Sequence, residues 1–166
     1  MPAYPAWRDR VYRGALWVLS LAFLGVAVAI VFREAVLAQV SADSALLANM
    51  AASWTFLVWV PKWRWLVRGL ALLALLGWAV GLPLFLWGGV LAASAIMAAK
   101  EYHCFKFWTG RYLPWLSVAA GLAWMLRLGV PLVVLFLAIS AGWLGLVWQR
   151  AALPLFQIDA QNESTP

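Results

Sequence analysis

The stretch KEYHCFKF, Lys100 to Phe107, brings together the chain's one histidine, its one cysteine and a carboxylate between two apolar runs. Those residue types invite three chemistries. His103 and Cys104 could form a base and a nucleophile. As sequence neighbours on a helix, however, they would point about 100° apart, a poor geometry for that pair. A lone imidazole at His103 can hold a haem iron or a chlorophyll magnesium, since a tetrapyrrole needs one axial ligand. Cys104 can act as a reactive or metal-binding thiol, although a structural zinc needs four ligands and would require a partner chain. If a helix continues past Ala99, Lys100 and Cys104 share a face, as do Glu101, Cys104 and Phe105. The plain alternative is a helix end whose cations face cytosol and lipid headgroups while its aromatics insert at the interface.

No other chemical motif stands out. There is no H-E-x-x-H, no glycine-rich phosphate loop and no C-x-x-C, and a single cysteine allows no internal disulfide. The six acids, Asp9, Glu34, Asp43, Glu101, Asp159 and Glu163, are expected in loops, tails or helix ends. Asn49 is the nearest thing to a polar residue within an apolar run. Ion-coupled transporters keep ionisable groups along their path, so their absence from the apolar runs argues against that class.

The elements that position the motif are apolar. Hydrophobic residues make up 66% of the chain and charged ones 11%, too few to cover a soluble domain. Long uncharged runs in place of alternation imply an integral membrane protein, since a hydrocarbon core takes about 20 apolar residues per helix. Gly14 to Phe32 and Ala45 to Val60 are two spans. No charge occurs from Gly69 to Ala99, and only Arg127 interrupts Leu113 to Trp148. GLPL (81–84) and GVPL (129–132) split these runs, because Gly ends a helix and Pro suits the first turn of the next. The expected fold is all-α, with six transmembrane helices in three hairpins at about 14–32, 45–60, 64–80, 83–99, 113–127 and 130–148. Residues 1–13 would form a cytoplasmic segment, 14–150 the membrane domain and 151–166 a polar tail.

Charge asymmetry fixes the orientation. With six spans, all of the twelve basic residues except Arg33 and Arg127 share one side with both termini. Positive residues at span ends stay in the cytoplasm, which places both termini and the 100–112 loop there. The net charge of +6 is then accounted for by orientation against an anionic lipid surface, with no nucleic acid involved. The first span follows Arg8, Arg10 and Arg13, but its apolar core exceeds a signal-peptide h-region, so it reads as uncleaved. Trp7, Trp63, Trp65, Trp108, Trp115 and Trp148 fall at the cytoplasmic interface, where indoles anchor. Trp17, Trp54, Trp87 and Trp143 lie deeper and could pack a ring-shaped ligand or the core. Gly88, Gly89, Ala92 and Ala93 form a small-residue stripe that lets helix four approach its neighbours closely. The two Gly-x-Pro-Leu segments, each with a tryptophan before it (Trp78, Trp124), hint at a repeated hairpin.

Lys100, Glu101, Cys104, Phe105 and Lys106 match a K-E-x-x-C-F-[K/R] signature. In this the chain resembles a family of integral membrane proteins of cyanobacteria and plants that carry the signature in a loop between spans. The resemblance implies a setting in plasma or thylakoid membranes, where small proteins assist assembly of pigment–protein complexes. That family has no assigned activity, so no catalytic residue carries over. His103 lies outside the signature, which shifts weight from a tetrapyrrole to Glu101 and Cys104. The expected function is a non-catalytic auxiliary or assembly protein without cofactor, docking on a larger membrane complex through Lys100, Glu101, His103, Cys104, Phe105 and Lys106. A membrane enzyme or tetrapyrrole protein using Glu101, His103 and Cys104, and a carrier of hydrophobic small molecules, are the alternatives.

Overall fold

The computed structural model describes residues 5–56 and 60–154. These form six helices and, among the described residues, no strand: α1 (Ala6–Phe32), α2 (Ala35–Thr55), α3 (Pro61–Ala79), α4 (Pro83–Phe105), α5 (Thr109–Met125) and α6 (Gly129–Ala151). Four of them, α1, α2, α4 and α6, are long and apolar enough to cross a membrane. α3 opens with Lys62, Arg64 and Arg68, and α5, at 17 residues, is about 26 Å long.

Each helix packs antiparallel on the next, and α6 returns to α1, closing a ring. α4 meets α2, α3 and α5. The interior is aromatic and aliphatic: Phe23 of α1 stacks on Phe136 of α6, and Trp87 of α4 meets both Phe136 and Trp124. Trp143 is fully buried. The outward faces are equally apolar, with Phe32, Val36, Leu47, Val130 and Trp148 each at least 70% exposed, a surface suited to lipid. Since lipid is as apolar as leucine, close backbone approach must hold the helices together. Gly89 provides it, because a side chain there would strike Leu70 and Ala74 of α3. Ala93 is buried too, whereas Gly88 faces open space. Ser20 and Ser140 exchange hydroxyl-to-carbonyl hydrogen bonds of 3.2 and 2.9 Å between α1 and α6.

Several boundaries differ from the sequence expectation. α1 begins eight positions before Gly14, so Arg8, Asp9, Arg10 and Arg13 of the expected N-terminal segment belong to the first helix. α2 begins at Ala35, with Asp43 inside it; the carboxylate is tolerated there because Trp78 Nε1 and Gln39 Nε2 donate to it at 2.7 and 2.9 Å. α2 also ends early, at Thr55. Pro114 lies inside α5 as its sixth residue, where its missing N–H forfeits the helix bond to Gly110 O. The tail QIDAQNESTP lies outside the described residues.

The hairpin turns of α3–α4 and α5–α6 are alike, but not through their Gly-x-Pro-Leu segments. In the first, Gly81 takes the left-handed conformation and Leu82 N bonds back to Gly77 O at 2.7 Å. In the second, Arg127 holds that conformation (φ 55°), Leu128 N bonds to Ala123 O at 2.9 Å, and Gly129 is already the first residue of α6. Trp124, Arg127 and Leu128 thus stand where Trp78, Gly81 and Leu82 stand. The helix closure selects its left-handed residue by distance from the last turn, so a non-glycine residue serves where the chain offers no glycine.

Candidate functional site: a buried ionic hub

The motif is helical, not a loop. α4 runs on through Phe105, and only Lys106 to Trp108 connect it to α5. Lys106 ends the helix in a left-handed cap (φ 58°), donating its N–H to Tyr102 O. Helical continuation sends the motif's residues in different directions. Glu101 falls on the same inward face as Met97 and Ala98 and is fully buried. His103 and Cys104 are exposed, and Lys106 with them.

Around Glu101 the ends of three helices converge. Asp9 lies in the first turn of α1, where the partial positive charge of the helix start favours a carboxylate. Arg150 lies in the last turn of α6, where the opposite end charge favours a cation. Glu101 near the end of α4 has the wrong sign for its position, so it needs cations. It has them: Arg150 Nη1 donates to Oε2 at 2.6 Å, and Lys100 Nζ donates to Oε1 at 2.9 Å. Tyr12 Oη adds a third bond to Oε1 at 3.1 Å. The other arm of Arg150, Nη2, reaches Asp9 Oδ1 at 2.8 Å. Arg13, one helical turn after Asp9, donates to Oδ2 through Nη2 at 2.9 Å and Nε at 3.1 Å.

One guanidinium therefore bridges two buried carboxylates, with a second cation on each. Aromatic rings fill the space between. Arg150 Cζ lies 4.8 Å from the Phe105 ring centre and 5.3 Å from Tyr12. Lys100 Nζ lies 5.2 Å from Phe105, 5.5 Å from Tyr12 and 5.7 Å from Phe56. Ring faces attract cations, and they replace part of the water these charges give up. Arg13 also donates to the carbonyls of Leu153 and Pro154 at 2.9 and 2.7 Å, fastening the chain just past α6 to the same cluster.

Such a site holds helices in register; its carboxylates are already saturated and unsuited to taking a proton from a substrate. Desolvating two acids and their cations is costly, and the paired charges joining α1, α4 and α6 offset that cost. Asp9 and Glu101 do lie at helix ends, as expected of the acids, and both are fully buried there; Asp43, inside α2, is the acid that departs from that expectation. Charge pairing across helices makes the burial of Asp9 and Glu101 tolerable.

The remaining candidates are distributed as follows. Phe105 belongs to the hub's aromatic wall and also stacks on Phe107, 5.4 Å between ring centres. His103 stands exposed at the bundle end, which does not fit an axial ligand enclosed with a tetrapyrrole. Among the described residues no three of His, Cys, Asp and Glu converge as metal ligands. Of the four deeper tryptophans, Trp87 and Trp143 are core while Trp17 and Trp54 are partly exposed. The six interfacial ones are all exposed. Asn49 is fully buried, and neither its amide nitrogen nor its oxygen has a hydrogen-bond partner. Sequence reasoning did not single out Asp9, Tyr12, Arg13 or Arg150. Glu101 pairs with Tyr12 across 89 positions and with Arg150 across 49, and Asp9 with Arg150 across 141. An acid amid three arginines at the start of the first apolar helix was the available signal.

Comparison with protein-family models, with curated proteins and with solved structures finds no match to this chain.

Proposed function

We propose that the chain is a six-span integral membrane protein, both termini cytoplasmic, that acts without catalysis by docking on another membrane protein. One observation carries this reading. The motif's carboxylate, Glu101, is saturated inside the bundle, while His103, Cys104 and Lys106 are displayed outside it. The hub then has the role of a brace, and the outward side of the α4 end is the surface it holds rigid. Trp108, Tyr112 and Trp115, all more than half exposed, extend that surface along α5 with rings suited to a protein contact in the interface region. α3 and α5 are short for a span and cross by local thinning of the bilayer, with Trp63, Arg64 and Trp65 reaching the interface. A plasma or thylakoid membrane is the setting supported by the motif likeness.

Cys104, the chain's one thiol, tests both parts. A membrane-impermeant maleimide is expected to label it in inside-out vesicles and not in intact cells. A photo-crosslinker attached there is expected to yield a discrete adduct with a larger membrane protein in native membranes. Labelling from outside would refute the orientation, and a monomer with no adduct would refute the docking role.

A second reading has one feature in its favour. A groove of about 240 Å³ runs between α4 and α5, floored by Gly88 and Gly121 and flanked by Trp87 and Trp124. It suits an apolar chain or ring, as a carrier of hydrophobic molecules would need. Mass spectrometry of the purified protein for bound quinone or pigment decides for or against it.

A further inference from the structure

The three hairpins, α1–α2, α3–α4 and α5–α6, are built to one register. Each first helix ends on a left-handed residue, Arg33, Gly81 or Arg127. The next residue's N–H then bonds back five positions: Glu34 to Ala29 O at 3.0 Å, Leu82 to Gly77 O at 2.7 Å, Leu128 to Ala123 O at 2.9 Å. The second helix begins at once, at Ala35, Pro83 or Gly129. Counted from these closures, the same positions turn inward. In the first helices Leu19, Val67 and Leu113 are buried, as are Val26, Ala74 and Ala120. In the second helices Ala45, Ala93 and Ile139 are buried, as are Asn49, Met97 and Trp143. A position in one hairpin therefore has a counterpart in the other two.

The groove between α4 and α5 departs from this pattern. Gly88 and Gly121 on its floor have no neighbouring atom within 4 Å of where a Cβ would stand. The counterparts of Gly88 are Val40 and Val134, both exposed, and those of Gly121 are Leu75 and Ala27. Of the three seams between hairpins, this one alone has glycine at both positions. Glycine weakens a helix interior, and neither residue here serves a turn or a close approach within the chain. The groove also continues into a line along α5. Met125, Leu122, Val118, Trp115, Tyr112 and Trp108 are each more than half exposed and recur every three or four residues, the spacing by which one helix packs along another. Arg111, one turn before Trp115, and Lys106 are exposed there with no ion pair among the described residues. From Arg111 to Met125 the line runs about 21 Å, more than one leaflet of a hydrocarbon core about 30 Å thick. A lipid held at Arg111 falls short of its far end, whereas a transmembrane helix covers all of it. We infer that the groove and this line seat a transmembrane helix of the docking partner. That helix places a branched or aromatic side chain over Gly88 and Gly121 and a carboxylate opposite Arg111. Close backbone approach over small residues is what joins helices in lipid. The inference rests on the docking role proposed above and names the element of the partner that makes the contact.

The test uses the full chain in native membranes. One photo-crosslinker sits on Cys104 as reference, and a second on Leu122→Cys in a Cys104→Ser background. Both are expected to capture the same protein, with the Leu122 link mapping to an apolar span that carries Asp or Glu at one end. Gly88→Val/Gly121→Leu gives the groove the side chains of its counterparts. It is expected to lower both adducts by about tenfold while unfolding near the wild-type midpoint. Val134→Leu, an enlargement at a counterpart position, is expected to leave both unchanged. A Cys104 adduct undiminished by filling the groove overturns the inference and leaves the docking role standing, whereas a wild type without that adduct overturns both. An adduct of two copies of this chain overturns it in favour of self-association. A quinone, pigment or lipid found by mass spectrometry on the wild type and lost on filling overturns it in favour of a small-molecule site. Should the filled variant fail to fold, Arg111→Glu reads the same contact: the Leu122 adduct is expected to fall about fivefold, and an unchanged yield overturns the inference.

Discussion

Arg150→Met removes the bridge of the ionic hub while keeping a side chain of similar length. In the wild type Arg150 donates one charge-assisted bond to Glu101 and one to Asp9, at 2.6 and 2.8 Å. Each such bond contributes about 1.5–3 kcal/mol, and the two carboxylates it leaves behind are fully buried. Each keeps one cation, Lys100 on Glu101 and Arg13 on Asp9, so neither is abandoned outright. The expected loss is therefore about 3–5 kcal/mol, the range for breaking one partner out of a buried ionic cluster. At about 2–4 °C per kcal/mol for a chain of this size, the midpoint of unfolding in mild detergent should fall by about 6–20 °C. Tryptophan fluorescence reads the transition, since Trp87 and Trp143 are core residues. The decisive comparison is the triple variant Asp9→Asn/Glu101→Gln/Arg150→Met. Removing all three charges relieves the uncompensated carboxylates, so the triple variant should recover at least half of the loss. An Arg150→Met midpoint within 2 °C of wild type (a threshold of about 1 kcal/mol), or a triple variant less stable than the single one, would refute the claim that mutual charge compensation holds these helix ends.

Gly89→Leu should lower stability by about 1–3 kcal/mol through overpacking against Leu70 and Ala74, whereas Gly88→Leu, facing open space, should stay within about 0.5 kcal/mol; thermal unfolding of the pair checks it. Asn49→Leu should stabilise by about 1–3 kcal/mol, because it removes a buried amide that has no partner; a loss instead would indicate that the amide binds something. Gly81→Ala should cost about 1–2 kcal/mol at its left-handed position, while Arg127→Gly at the equivalent turn should be neutral or stabilising, as read by denaturant or thermal midpoints. Asp43→Ala should free the indole of Trp78 at the opposite end of the bundle, shifting its emission to the red with a stability loss of at most about 1 kcal/mol, since both partners are exposed to solvent.

Helix number and the locations of the turns were legible because lipid sets a length and charge marks the ends. The run from Gly69 to Ala99 had to break, and Gly81-Leu82-Pro83 holds the only proline within it. Helix ends were less legible for the same reason: charge was taken as the edge of a helix. Arg8, Asp9 and Arg13 in α1, Asp43 in α2, and Lys100 with Glu101 in α4 are charged residues that helices carry past the apolar stretch. Backbone hydrogen bonding continues for as long as side chains find partners, and these did. The sequence pointed to Glu101 through a motif, yet assigned it to a loop, where it would have been available to a ligand.

The amino-acid order alone determined that this chain is an apolar helical protein with its cations concentrated at one end. Those properties follow from local composition summed over about 20 residues at a time. Only the tertiary structure decided that Glu101 faces Arg150, Tyr12 and Lys100 while His103 and Cys104 face outward. Only it placed the Arg68 guanidinium against the rings of Trp54 and Trp65. Ion pairs between distant helices depend on the rotation of each helix about its axis, and that rotation is set by how the side chains of all six helices pack at once.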